Sequence, residues 1–235
     1  MNILFRKARS AMIRARRFVI SQRFGFDPAK IYAKSFYEDG GFARTEYSAR
    51  VITAWIQSSL SPKSVLDLGS GSGFYLREFA QLGIEALGLE ASPAGVAGSG
   101  SNVLALSYDL RRPVHLSKRF DVVMCIEVAE HIPKRSSSML VESICSNANS
   151  FVVFTAAPPG TPGADHINCQ PEKFWVALFH ERGFVLRPAL TEDLRRTAVL
   201  ADTADWWKSW SWCFQRAETL DAGIKQVSPA DVSLR

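Results

Sequence analysis

The sequence predicts an α/β fold, a mostly parallel sheet with helices on both faces. Three observations lead there. From residue 64 onward seven short β-rich runs follow one another, most of them separated by helical stretches. The first run ends in a glycine-dense turn that opens a helix. The chain of 235 residues, 47% hydrophobic and 22% charged, suffices for one sizeable core and is short for two.

The chain begins with a basic segment, residues 1–26, in which Leu4, Ala8, Met12, Ala15 and Val19 recur at helical spacing among arginines. Residues 1–30 carry a formal charge of +7, and the remainder sums to −2. The body is therefore close to neutral, which argues against nucleic-acid binding by the whole protein. A cationic amphipathic helix over residues 1–24 is suited to lie on an anionic membrane surface, to bind a polyanion or to act as an organellar presequence. A helix packed on the body with solvated arginines is the plainer reading. No apolar run approaches the roughly 20 residues that span a bilayer. Cys125, Cys145, Cys169 and Cys213 form no C-x-x-C pair, so a reducing, cytoplasmic setting is expected, with surface membrane association if the basic helix docks.

Residues 27–60 read as a helical cover that precedes the sheet, part of a domain spanning 27–217. The β-rich runs are Ser64 to Leu68, Ile84 to Leu89, Val103 to Leu106, Phe120 to Ile126, Phe151 to Thr155, Phe184 to Leu186 and Trp210 to Phe214. The last two lack a clear crossover between them, which suits an antiparallel final strand. Residues 218–235 lose apolar periodicity and read as a loose tail.

Val65-Leu66-Asp67-Leu68 is a buried strand, Gly69-Ser70-Gly71-Ser72-Gly73 a tight turn, and Phe74 starts a helix. Glycines here admit positive φ and let a ligand approach the backbone. The spacing is G-x-G-x-G, with Phe74 where a dinucleotide fingerprint needs its last glycine, so a nicotinamide cofactor is disfavoured. Glu90 ends the second strand about 20 residues on, where such folds place an acid on ribose hydroxyls. Asp109, after the third strand, is placed to reach an adenine amine; a turn aspartate is the alternative.

These segments, together with Gly88-Leu89-Glu90-Ala91-Ser92, Tyr108-Asp109-Leu110 and Phe120-Asp121-Val122-Val123-Met124-Cys125-Ile126-Glu127-Val128-Ala129-Glu130-His131-Ile132, resemble the successive motifs of class I S-adenosylmethionine (SAM) methyltransferases. The resemblance covers roughly residues 60–216. It implies a Rossmann-like seven-stranded sheet with an antiparallel last strand and a cofactor cleft at the carboxyl ends of the strands. It also implies that Asp67, Gly69, Ser70, Gly71 and Gly73 surround the amino-acid end of the cofactor. Glu90 and Ala91 would lie at its ribose, Asp109 and Leu110 at its adenine, and Glu127 beside the sulfonium.

A hydroxyl acceptor needs its proton removed, and the chain has four histidines. His131 follows the fourth strand and His166 the fifth, both strand ends that face the cleft in this fold. His115 and His180 read as surface residues. Glu127, Glu130 and His131 form an E-x-x-E-H pattern that would share one face of a helical turn. With His166 it resembles the metal-holding set of plant small-RNA 2′-O-methyltransferases and ubiquinone-pathway O-methyltransferases, so a divalent metal is one expectation and a metal-free histidine base the other. The loop Asp165-His166-Ile167-Asn168 matches those families only at its first two residues. Trp206, Trp207, Trp210 and Trp212 either line an acceptor pocket or pack the last strand. The expected activity is O-methylation of a hydroxylated small molecule, sugar or glycan intermediate. An RNA ribose 2′-O-methyltransferase and a catalytically silent cofactor-binding scaffold subunit are the alternatives.

Overall fold

The computed structural model describes residues 43–219 other than Ala164. The basic segment 1–26, the first part of the helical cover and nearly all of the tail lie outside the described residues.

The described part of the cover is helix α1 (Ala43–Leu60), whose Ala49, Ile52, Trp55 and Ile56 are buried against the sheet. The remaining elements are β1 (Ser64–Leu68), α2 (Phe74–Gln81), β2 (Glu85–Glu90), α3 (Pro93–Gly98), β3 (Leu104–Ser107), β4 (Phe120–Ile126), α4 (Ser137–Asn147) and β5 (Ala148–Thr155). After them come α5 (Glu172–His180), β6 (Phe184–Leu186), α6 (Pro188–Leu200), α7 (Asp205–Ser209) and β7 (Ser211–Arg216). Two 3-10 turns, Ala129–His131 and Lys134–Ser136, link β4 to α4. The seven strands lie in the order β3-β2-β1-β4-β5-β7-β6. All neighbouring pairs are parallel except those made by β7, which is antiparallel to both β5 and β6.

Strand side chains alternate between faces, and both faces are apolar, as a sheet covered on two sides requires. Val65, Val122, Met124, Val153 and Cys213 pack with α1, α2, α6 and α7, where Phe79, Leu194 and Trp207 are buried. Leu66, Val123, Val152, Phe154 and Phe214 face α4 and α5, with Ile144, Trp175 and Phe179. Strand order reverses between β1 and β4, so their carboxyl ends open a crevice where open α/β sheets bind ligands.

The antiparallel last strand agrees with the sequence, but the connection before it does not. Helices α6 and α7 lie between β6 and β7. Pro188 at the start of α6 and the buried Thr191, Leu194 and Ala198 at helical spacing are the sequence signal of that helix. β7 runs antiparallel between β5 and β6, reached through two helices and not through a short turn. Trp210 ends α7 and stands outside the strand that it was expected to open.

Candidate active site

The crevice has two walls. The first is made of backbone. Gly69, Gly71 and Gly73 all have positive φ, and at two of them a side chain has no room: a Cβ on Gly69 would fall 2.3 Å from Val128 Cγ2, and one on Gly73 2.9 Å from Ser99. Gly69 N–H and Ser70 N–H both donate to Leu89 O, which ties the turn to the end of β2. Glu90 braces it from the other side, accepting from Gly71 N–H at 2.8 Å and Ser92 N–H at 2.7 Å. Ala91 follows, half-buried, and Ser92 caps α3.

Beneath the turn Asp67 is buried, and no donor among the described residues reaches its Oδ2; Ser70 Oγ is likewise buried and unpartnered. Burial, with the Glu90 charge second, pushes the Asp67 carboxyl up to about 7. Burial also raises Glu90, against the backbone N–H groups that favour its charged form. Two orphaned polar groups under a turn too tight for side chains mark a cradle shaped for a polar ligand. Asp109 stands after β3, but its carboxylate is already bidentate with Arg111, Nε to Oδ1 at 2.9 Å and Nη2 to Oδ2 at 2.7 Å. That guanidinium holds Asp109 below its ordinary range. Leu110 beside it is buried.

The second wall is made of side chains after β4 and β5. Glu127 adopts a left-handed backbone, φ 55°, so E-x-x-E-H does not form the regular helical face expected of it. Instead Glu127 precedes the 3-10 turn that carries Glu130 and His131. Its carboxylate Oε1 accepts from Thr155 Oγ1 and from Trp210 Nε1, each at 2.9 Å. Glu130 is fully buried and accepts weakly from Ala157 N–H through Oε1, while no donor reaches Oε2. Its neighbour is Glu127, and burial followed by the Glu127 charge holds the Glu130 carboxyl well above the usual range. Burial raises Glu127 too, against its hydrogen bonds with Trp210, Thr155 and Glu130, which favour its charged form.

The loop after β5 closes onto this turn. Ile167 and Asn168 N–H groups donate to Glu130 O at 2.9 Å, and the buried Asn168 amide bonds Ala129 O and Ser137 Oγ. His131 and His166 therefore meet edge to face, centroids 5.0 Å apart. His131 Nδ1 lies 3.1 Å from Asp165 O and His166 Nδ1 3.3 Å from Thr161 O, which favours the proton on each Nδ1 and the lone pair on Nε2. Burial lowers the pKa of His166, partly offset by its bond to Thr161 O and by the Asp165 charge. One ligand atom each from Glu130, His131 and His166 falls within 4.8 Å of the others, and Glu127 is outside that group. His115 and His180 are exposed, as expected.

The four tryptophans divide evenly. Trp207 and Trp212 are buried and donate to Tyr75 Oη and Glu172 Oε2, so they pack the fold; Trp206 and Trp210 are half-buried. Sequence reasoning missed Thr155 and Gly163. Thr155 carries no motif. Gly163 gives the His166 ring its space, since a Cβ there would fall 2.1 Å from Nε2.

The seven-stranded order with an antiparallel β7, the glycine cradle and the acid ending β2 define a class I, Rossmann-like, SAM-dependent methyltransferase. The chain belongs to the methyltransferase domain family, which it matches over residues 41–189. It is 27% identical over 191 residues to the ubiquinone biosynthesis O-methyltransferase of Hahella chejuensis, covering 74% of each chain. To the enzyme of that name from Rhodopseudomonas palustris it is 28% identical over 138 residues, 51% of this chain and 53% of that one. Among solved structures, magnesium protoporphyrin IX methyltransferase from Synechocystis with bound S-adenosylhomocysteine (SAH) superposes with a TM-score of 0.55 at 17% identity, covering 88% of this chain and 98% of that one. A sugar N-methyltransferase from Streptoalloteichus gives 0.58 at 15% identity, covering 77% and 91%. These two likenesses concern the fold.

Proposed function

We propose that the protein methylates a hydroxyl oxygen of a small polar acceptor, a hydroxylated metabolite, sugar or glycan intermediate. The observation that carries this is the meeting of His131 and His166 beside Glu127 and Glu130 at the crevice, a proton-handling group that transfer to an already nucleophilic amine does not need. The name O-methyltransferase on the relatives supports the same reading.

In this reading the glycine turn, Asp67 and Ser70 hold the amino-acid end of SAM. Glu90 keeps acceptor capacity for the ribose hydroxyls beyond its two backbone bonds, since a carboxylate accepts about four. Asp109 and Leu110 border adenine, and Glu127 faces the sulfonium. SAM supplies a methyl group on a positive sulfur. The protein's part is to align the acceptor oxygen, exclude water and take the proton, with His131 or His166 Nε2 as base.

A second reading places a divalent cation between Glu130, His131 and His166. The donor set fits it. Glu130 Oε2 is buried without a donor, and the two carboxyls in contact need either a shared proton or a cation. A metal there would lower the pKa of an acceptor hydroxyl. Labelled SAM with fractionated host extract identifies the acceptor class, and repeating the assay after chelation and after adding Mg²⁺, Mn²⁺ or Zn²⁺ separates the readings. Label entering amines alone would overturn O-methylation. Full activity in excess chelator with no metal by elemental analysis would remove the cation and leave His131→Ala and His166→Ala to name the base.

A further inference from the structure

Trp210 precedes β7, far in sequence from the motifs, yet its indole reaches past the end of β5 to the residue after β4. Its Nε1–H and the Thr155 hydroxyl converge on one oxygen, Glu127 Oε1, each at 2.9 Å. Thr155 Oγ1 also accepts from Glu127 N–H at 2.8 Å, so side chain and backbone of Glu127 are fastened together. The fastening is needed because φ of 55° is unfavourable for a residue with a Cβ. The next residue, Val128, is the one whose Cγ2 fills the space over Gly69, and Val128 O accepts from His131 N–H. The Glu127-Val128 turn thus touches the glycine cradle on one side and the histidine turn on the other.

We infer that Trp210 is a positioning residue for methyl transfer, its indole N–H aiming the Glu127 carboxylate at the sulfonium of SAM. Through it the segment that leads into β7, 201–210, is tied to the cofactor wall. Nothing in the motifs points to this residue; the hydrogen bond does. The inference rests on the placing of Glu127 beside the sulfonium.

SAM and SAH differ by one methyl group and one positive charge, so their affinity ratio reads the aim of a carboxylate at that charge and is insensitive to loosening of the fold. Calorimetry on the full chain would compare Trp210→Phe, which keeps a ring and removes the donor, with Glu127→Gln. Loss of a hydrogen bond of this kind should weaken SAM by about three- to tenfold while SAH changes less than about twofold, in the same direction as Glu127→Gln. A normal SAM-to-SAH ratio in Trp210→Phe, with an altered one in Glu127→Gln, would overturn the role of Trp210 and leave the placing of Glu127 standing. No effect in Glu127→Gln would overturn both. If Trp210→Phe does not fold, the indole N–H resonance of Trp210 in the unaltered protein decides: it should move more on SAM than on SAH, and equal movement or none overturns the inference.

Discussion

The two walls of the crevice are built from different materials. Around β1 and β2 the ligand surface is backbone: three positive-φ glycines, two N–H groups on Leu89 O and two on Glu90. After β4 and β5 it is side chains brought from four places, residues 127–131, 155, 161–168 and 210. A backbone surface tolerates few sequences and suits a constant ligand. A side-chain surface can be exchanged residue by residue, as a variable acceptor demands.

The sharpest way to break the contrast is Gly69→Ala. Its Cβ would meet Val128 in a backbone conformation that alanine resists, so SAM binding by calorimetry should fall below detection while circular dichroism shows a folded chain. Retained binding would show that the cradle is pliable. Glu90→Ala should weaken SAM and SAH alike by about 1.5–3 kcal/mol, the loss of charge-assisted bonds to a buried ligand. Unchanged affinity would remove Glu90 from the ribose.

Asp67→Asn tests the floor of the cradle. The folded chain keeps the Asp67 proton up to about pH 7, whereas the unfolded chain loses it near 3.8, so the folded state binds more protons between those values. Stability of the cofactor-free protein should therefore fall as pH rises through that window, by at most about 4 kcal/mol from this group. Asn stays neutral: the variant should lack the slope and melt higher at pH 8, yet bind SAM a few-fold more weakly. An unchanged slope would assign the pH dependence elsewhere. The smallest effect is expected from deleting residues 1–24, which should leave SAM affinity unchanged and, if the basic segment docks on membranes, abolish salt-sensitive binding to anionic vesicles. Loss of solubility without any vesicle binding by the full chain would favour packing on the body.

The contrast between the walls also explains what was legible beforehand. The glycine turn, Glu90 and β4 were readable because backbone geometry forces residue types at fixed spacings. The proximity of His131 and His166 was readable only through the fold, which puts adjoining strand ends together. Thr155 was not readable, and Trp210 only as one of four tryptophans near the last strand, since their shared partner lies 28 and 83 residues away and no local spacing links them to it. The left-handed Glu127 broke the helical reading of E-x-x-E-H for the same reason: tertiary hydrogen bonds overrode local periodicity. Helix α6 was less legible because its buried Thr191, Leu194 and Ala198 are interspersed with charged residues, which weakens the apolar stripe.

The position of β7 has a consequence for biosynthesis. β6 holds three residues at the sheet edge, and β7 is its only strand neighbour among the described residues. As the chain leaves the ribosome, β1 to β5 can pair while β6 has nothing to join until residues 211–216 follow. All residues of the glycine cradle thus leave the ribosome before the strand that completes the sheet, and Trp210 emerges with that strand. A chain released before residue 210 would carry the glycine turn and lack the indole that bonds Glu127.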